Sequence, residues 1–264
     1  LLFAKDKTLK ELFEDMFSSD QSRRVRAMET IARMKDPDAL AEPLLVMCLN
    51  HPSRRLVDAA ARAAVTGRYR SEALVKALCR VLARTSEWDW RRSGQYGYYG
   101  QDGSEEAVQP HWTALEALMV IRSPHAAGPL LAILGRKNYD VHRNLMIGEA
   151  LIATGERRAI PTLLEMLDDR GMVTFWSDGD TSISLSCGDV ALMILIRLTR
   201  QNPASYGFAY QTSYRPYGAE SSVYGFPKDT DRQTAVKKFR NWWNSHKDAP
   251  PYNEIQPLPT IKAE

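Results

Sequence analysis

The residues best equipped for chemistry in this chain are scattered rather than gathered. The five histidines are His51, His111, His125, His142 and His246, and no two are three or four residues apart. That is the spacing at which one helix face holds a metal between two imidazoles, so no helical metal pair is encoded. Cys48, Cys79 and Cys187 make an odd count without paired spacing. They indicate no disulfide framework, and Cys48 and Cys79, lying in helical stretches, read as small buried apolar residues. Gly94, Gly97, Gly100 and Gly103 recur at every third position, but no Lys-Ser/Thr follows them and the context is not strand-to-helix. A phosphate cradle is therefore not supported. Asp178, Asp180, Ser182 and Asp189 bring oxygen ligands together without the Gly and closing Glu of a calcium loop. An Asp-Gly turn is the simpler reading. No catalytic, cofactor-binding or metal-binding residue is assigned, and the expectation is a protein without enzymatic activity.

Two other patterns carry more information. Eight of the eleven tyrosines fall in two segments: Tyr96, Tyr98 and Tyr99, then Tyr206, Tyr210, Tyr214, Tyr217 and Tyr224. Trp88 and Trp90 join the first set, and Trp176 lies in a third segment. Tyr and Trp among Gly and Ser give rigid contact area in adaptable surroundings, the composition of recognition surfaces. The competing reading is that these rings pad the body of the protein. The second pattern is a basic run. Residues 51–84 carry Arg54, Arg55, Arg62, Arg68, Arg70, Lys76, Arg80 and Arg84 against only Asp58 and Glu72. Lys76, Arg80 and Arg84 are four apart and form one helical stripe, which Arg91 and Arg92 extend into the aromatic segment. An acidic protein partner fits this stripe. Nucleic acid fits less well, because phosphate binding normally shows a stronger basic excess.

The elements that must position these residues repeat. Residues 39–49 (ALAEPLLVMCL), 126–134 (AAGPLLAIL) and 159–167 (AIPTLLEML) are variants of one phrase. Each follows a helical phrase of a second type, around Glu29, Glu116 and Glu149. Glu116 and Glu149 are 33 residues apart, and Pro129 and Pro161 are 32 apart. Two helices per unit at that period predict a stacked α-solenoid. The apolar stripe of Leu44, Leu45, Met47 and Leu49 is too wide for one hairpin to bury, so neighbouring hairpins must cover each other. Pro161 fits the first turn of its helix, whereas Pro43 is expected to bend its own.

The expected architecture is all-α: an α-α superhelix of about five helical hairpins. Residues 7–17 form a cap helix. Units run over about 20–50, 53–84, 106–136, 139–170 and 187–247, within one domain spanning 1–247. Three long insertions, 85–105, 171–186 and 201–228, interrupt the units. Trp242 and Trp243 on the last helix read as a lid on the final repeat. Residues 248–264 form an extended Pro-rich arm, with Tyr252, Ile255, Leu258 and Ile261 spaced three apart as a polyproline-like edge presents them. Docking of that edge on a partner or neighbouring subunit is expected, against packing on the protein's own body.

Val25-Arg26-Ala27-Met28-Glu29, followed by Asp36-Pro37-Asp38-Ala39, and the stretch Gly155-Glu156-Arg157-Arg158-Ala159-Ile160-Pro161 resemble HEAT repeats. The closer likeness is to the short bacterial HEAT-like repeats of phycobilin-lyase-type proteins. The resemblance covers about residues 20–84 and 106–200. It implies an α-solenoid scaffold that binds other proteins, with the second helices lining a concave face. On that face the stripe of unit two would be basic, while Glu165, Asp168 and Asp169 would make unit four acidic. The lyase activity of some members is not carried over, since nothing here marks a bilin site.

Composition agrees with a scaffold and excludes little else. The 264 residues are 44% hydrophobic and 25% charged, with a net charge of +3, the make-up of ordinary soluble proteins. No window approaches eighteen uninterrupted apolar residues, so no membrane span is expected. Leu1-Leu2-Phe3-Ala4 reads as the end of a removed leader, which leans towards an exported bacterial protein. The functional expectation is a non-catalytic scaffold or protein-interaction subunit, its partner an acidic surface or a neighbouring subunit. A nucleic-acid binder using the unit-two patch and a HEAT-like glycosylase or lyase are the alternatives.

Overall fold

The structure is a computed structural model and describes residues 9–20, 22–24, 26–27, 30, 41–67, 69–84, 109–134, 141–178, 181–211 and 223–258. The described chain is mostly helical. It divides into two compact units, residues 1–89 with 99–125, and residues 90–98 with 126–264.

Unit 1 contains α1 (Leu9–Met16), α2 (Ala41–Leu49), α3 (Arg54–Gly67), α4 (Glu72–Arg84) and α5 (Pro110–Ile121). The expected cap helix is α1, with Leu12 and Met16 fully buried, although Phe17 is partly exposed. Pro43 lies in the first turn of α2, where proline costs no hydrogen bond, rather than bending a helix interior. Helices of one type neighbour each other: α2 packs on α4, and α3 packs on α5. Ala60, Ala61, Ala63 and Ala64 of α3 are buried and have little bulk to hold neighbouring helices apart.

Polar contacts lock this arrangement at both ends. The Glu42 carboxylate at the start of α2 accepts from the Ser71 N–H before α4, at 2.8 Å. At the other end, the Arg84 guanidinium donates to the Leu49 and Asn50 carbonyls that close α2. Those carbonyls form the negative end of the α2 dipole, where a cation is favoured. The two contacts join start to start and end to end, so α2 and α4 run side by side in the same direction. The Thr113 hydroxyl of α5 donates to Asp58 of α3 and ties the other layer.

Unit 2 contains α6 (Ala127–Leu134), α7 (Val141–Thr154), α8 (Ile160–Met166), β1 (Met172–Asp178), β2 (Thr181–Ser186), α9 (Cys187–Leu198), β3 (Ala209–Gln211), β4 (Val223–Gly225) and α10 (Asp229–His246). Again α7 packs on α9, with α6 against α7 and α8 against α9. Gly155 ends α7 with φ +63°, the left-handed conformation that favours glycine, as the expected turn there requires. Short 3-10 segments, Pro124–Ala126 and Arg157–Ala159, lead into α6 and α8. They place Pro129 and Pro161 in first turns. Arg143 donates to the Ile133 carbonyl at 2.6 Å, closing α6 much as Arg84 closes α2.

The strands lie within the segments expected as insertions, as two two-stranded sheets. The segment 171–186, read as an insertion around an Asp-Gly turn, is a hairpin in which β1 and β2 pair antiparallel, with Trp176 opposite Ile183 and Asp178 opposite Thr181. The segment 201–228 supplies β3 and β4, also antiparallel. Backbone bonds between Ser184 and Phe226, at 3.0 and 3.1 Å, join the two hairpins. Gly225 permits this close approach, since a Cβ there would stand 2.4 Å from the Ser184 carbonyl oxygen. The last two helices, expected as a hairpin, therefore have sheet structure between them.

One buried network holds unit 2 together. Ser186 and Asp189 form a capping box at the start of α9. Asp189 is fully buried and accepts Arg232 of α10 through both oxygens, at 2.8 and 2.9 Å. Arg232 also donates to Asp229 at 2.9 Å and to the Ser184 hydroxyl at 2.9 Å, and its guanidinium lies 5.7 Å from the Phe226 ring centre. One side chain thus links β2, α9, the end of β4 and α10.

Candidate functional site

The basic stripe is present on α4, and its three members do different things. Lys76 pairs with Glu72 one turn earlier at 2.7 Å, both side chains more than half exposed. Such an exposed pair contributes little to stability because water screens it. Arg80 is exposed and makes no hydrogen bond or ion pair among the described residues. Arg84 is anchored on the end of α2, and burial, with Arg80 next, lowers its pKa. Lys76, Arg80 and Arg84 are all exposed, and Arg84 also holds the end of α2.

Arg84 also borders a cleft that no sequence pattern revealed. The cleft holds about 270 Å³ and is lined by His51, Pro52, Arg54, Val57, Val81, Arg84, Pro110 and His111. These come from the α2–α3 turn, the first turn of α3, the end of α4 and the start of α5. No acidic residue is among the described residues that line it. His51 Nδ1 accepts from the Ser53 N–H at 3.0 Å, which puts the imidazole proton on Nε2 in the neutral ring. The His51 ring meets Phe17 edge-on at 5.8 Å. His111 is buried and tilted against Trp112 at 5.0 Å. Asp58, one turn into α3, is engaged by Arg62 at 2.9 Å and by Thr113.

The aromatic residues separate into two groups. Tyr206 and Tyr224 are buried. The Tyr206 hydroxyl donates to Gln201, its ring lies 4.9 Å beneath Lys238 Nζ, and it approaches Phe239 at 6.3 Å. Tyr224 packs edge-on against Phe208 at 5.5 Å. These two rings serve the core of unit 2, a correction to the expectation that they form a contact surface. Trp176 and Tyr210 occupy strand positions in β1 and β3. Trp88, Trp90, Arg91, Arg92, Tyr96, Tyr98, Tyr99, Tyr214, Tyr217 and Ile261 lie outside the described residues.

The arm packs on its own unit. Tyr252 sits between Trp242 and Trp243, edge-on to each at 5.6 Å, with Arg157 5.6 Å from its ring centre. The Tyr252 hydroxyl reaches the Thr199 carbonyl at 3.4 Å, and the Leu258 N–H reaches the Arg158 carbonyl at 3.4 Å. Ile255 and Leu258 are half-buried. Described as far as residue 258, the arm packs on unit 2 through these contacts. The two tryptophans clamp it rather than only covering the last helix.

The acidic counterpart expected on unit four is partly consumed. Asp168 pairs with Arg240 at 2.7 Å, and Asp169 accepts from the Gly171 N–H at 2.8 Å. Asp189, considered for calcium, is committed to the capping box and Arg232, and no cluster suited to a metal occurs among the described residues. Cys48, Cys79 and Cys187 are buried free thiols, with burial pushing their pKa values up to about 12, 12 and 11. No helix among the described residues is long and apolar enough to cross a membrane. No protein-family model and no curated protein sequence matches the chain.

Proposed function

We propose that the protein is a HEAT-like α-solenoid scaffold that binds an acidic protein partner through the cationic side of unit 1. One observation carries this reading. The second helices α2 and α4 run side by side in the same direction, joined start to start by Glu42 and Ser71 and end to end by Arg84. Successive repeats of a helical stack have that relation. The second of these helices then presents Lys76 and Arg80 to solvent. Exposed charges of one sign speed association with an oppositely charged surface more than they stabilise the fold.

A fluorescent hexaglutamate peptide tests it. Binding is expected to weaken as salt rises and to weaken further in the Lys76→Glu/Arg80→Glu protein, with the circular dichroism spectrum unchanged. Equal binding by the wild type and the double variant would overturn the assignment of this face.

A further inference from the structure

We infer that the end of α10 carries a second binding surface, an aromatic slot closed by the chain's own arm, and that a partner segment presenting a tyrosine from a turn displaces the arm to occupy it. This goes beyond the cationic face of unit 1 and does not depend on it.

The slot is built from the part of α10 that the core does not use. The buried residues of α10 are Arg232, Ala235, Val236 and Phe239. None of residues 240–246 is buried. Trp242 and Trp243 nonetheless stand side by side there, and rings of that kind can bury about 150–250 Å² each. Tyr252 covers them, edge-on to both at 5.6 Å. Arg157 lies 5.6 Å from the Tyr252 ring centre, and the Thr199 carbonyl accepts from the Tyr252 hydroxyl. Two indoles, a guanidinium and a carbonyl acceptor together select an aromatic ring that carries a hydroxyl, which is a tyrosine.

The occupant is portable. The Tyr252 and Asn253 N–H groups donate to the Ala249 carbonyl at 2.9 and 3.2 Å, and the Ile255 N–H donates to the Tyr252 carbonyl at 3.2 Å. The turn that presents Tyr252 is therefore made within the arm itself, so another chain can carry the same turn.

The hold on the arm is light. Its hydrogen bonds to Thr199 and Arg158 are both 3.4 Å, longer than the roughly 2.7–3.0 Å of well-made bonds. Trp242, Trp243 and Tyr252 stay only half-buried with the arm in place. A short tether still makes this the resting state, because it presents the arm at an effective concentration on the order of mM. A partner segment with the same turn and further contacts wins the exchange.

A labelled peptide of residues 248–258 tests the inference in trans, against the full chain and its Tyr252→Ala variant, with hydrogen exchange confirming that α9 and α10 stay folded. The peptide is expected to bind the variant saturably, roughly tenfold or more tighter than the wild type. It should shift the indole N–H resonances of Trp242 and Trp243 and leave that of Trp112 in unit 1 in place. The same peptide carrying Tyr252→Ala is expected not to bind. In the wild type, amides of Tyr252 to Leu258 should exchange roughly tenfold or more faster than those of α10, because the arm opens without the helix.

Equal binding to the two proteins, no binding to a folded Tyr252→Ala protein, or shifts confined to other tryptophans would overturn the slot. Should the variant unfold unit 2, exchange in the wild type decides alone: arm amides that open only together with α10 make the arm part of the core and end the proposal. A concentration-dependent wild-type dimer that Tyr252→Ala abolishes assigns the slot to the arm of a second copy and overturns the partner segment.

Discussion

Replacing Asp189 with alanine removes the acid from the most buried charge pair described in unit 2. The carboxylate is fully buried, while the Arg232 side chain is only 8% exposed. It accepts the Ser186 N–H at 2.7 Å and two guanidinium bonds at 2.8 and 2.9 Å. Stripping one partner from a buried pair costs about 3–5 kcal/mol, and losing an N-cap interaction costs about 1 kcal/mol. Arg232 keeps Asp229 and Ser184, which places the expected loss near the lower end, about 3–4 kcal/mol. That is a large share of the roughly 5–15 kcal/mol that holds a domain folded.

Hydrogen exchange read by mass spectrometry suits a chain of two units, because it reports opening segment by segment. Amides of α9 and α10 should exchange roughly 100-fold faster or more, since each 1.4 kcal/mol is about tenfold. Amides of α3 and α4 should be unchanged. Arg232→Met alone should cost a similar amount, because it leaves Asp189 buried with its backbone bond only. The double variant should cost clearly less than the sum, with a coupling of about 2 kcal/mol. An Asp189→Ala loss under about 1 kcal/mol, or strict additivity, would refute the claim that this pair organises the unit.

Three further outcomes follow from named contacts. Cys48 and Cys79, buried with pKa values pushed up to about 12, should resist iodoacetamide at pH 8 in the folded protein and react fully in denaturant; rapid native labelling would contradict their placement. Hydrogen bonding from Arg158 holds the Glu156 carboxyl below its usual 4.5. Its contribution is therefore complete above pH 4.5 and is lost as pH falls through the lower folded value, so Glu156→Gln should flatten the stability of unit 2 against pH in that window. Tyr252→Ala, or deletion of residues 248–264, should lower the melting temperature of unit 2 by several degrees without changing the oligomeric state seen by light scattering; changed assembly with unchanged stability would restore the docking arm.

The helices were legible because their apolar residues recur at helical spacing over whole repeats, and Gly155 and Pro161 mark turn and restart where a helix must stop and begin. The β1–β2 hairpin had a readable signal too. Val173 and Phe175 alternate with polar residues, as do Ile183 and Leu185, on either side of Asp178-Gly179. Helical repeats flank the segment, so in sequence it resembles a turn inside an insertion. Tyr206 and Tyr224 looked like contact residues because composition cannot distinguish a tyrosine facing solvent from one facing Phe208 or Phe239. The cleft could not be read along the chain: His51, Arg84 and His111 meet only when α2, α4 and α5 pack. The basic run containing Arg54 and Arg84 was visible, but not that one arginine would cap a helix while lining a pocket.

Quantitative affinity capture from the source extract tests the central claim most directly, with the wild type and the Lys76→Glu/Arg80→Glu protein as paired baits and hydrogen exchange confirming that both are folded. The account predicts a small set of acidic proteins captured at low salt by the wild type and lost by the variant. An identical captured set for both baits, or one dominated by nucleic acid that nuclease treatment removes, would contradict it.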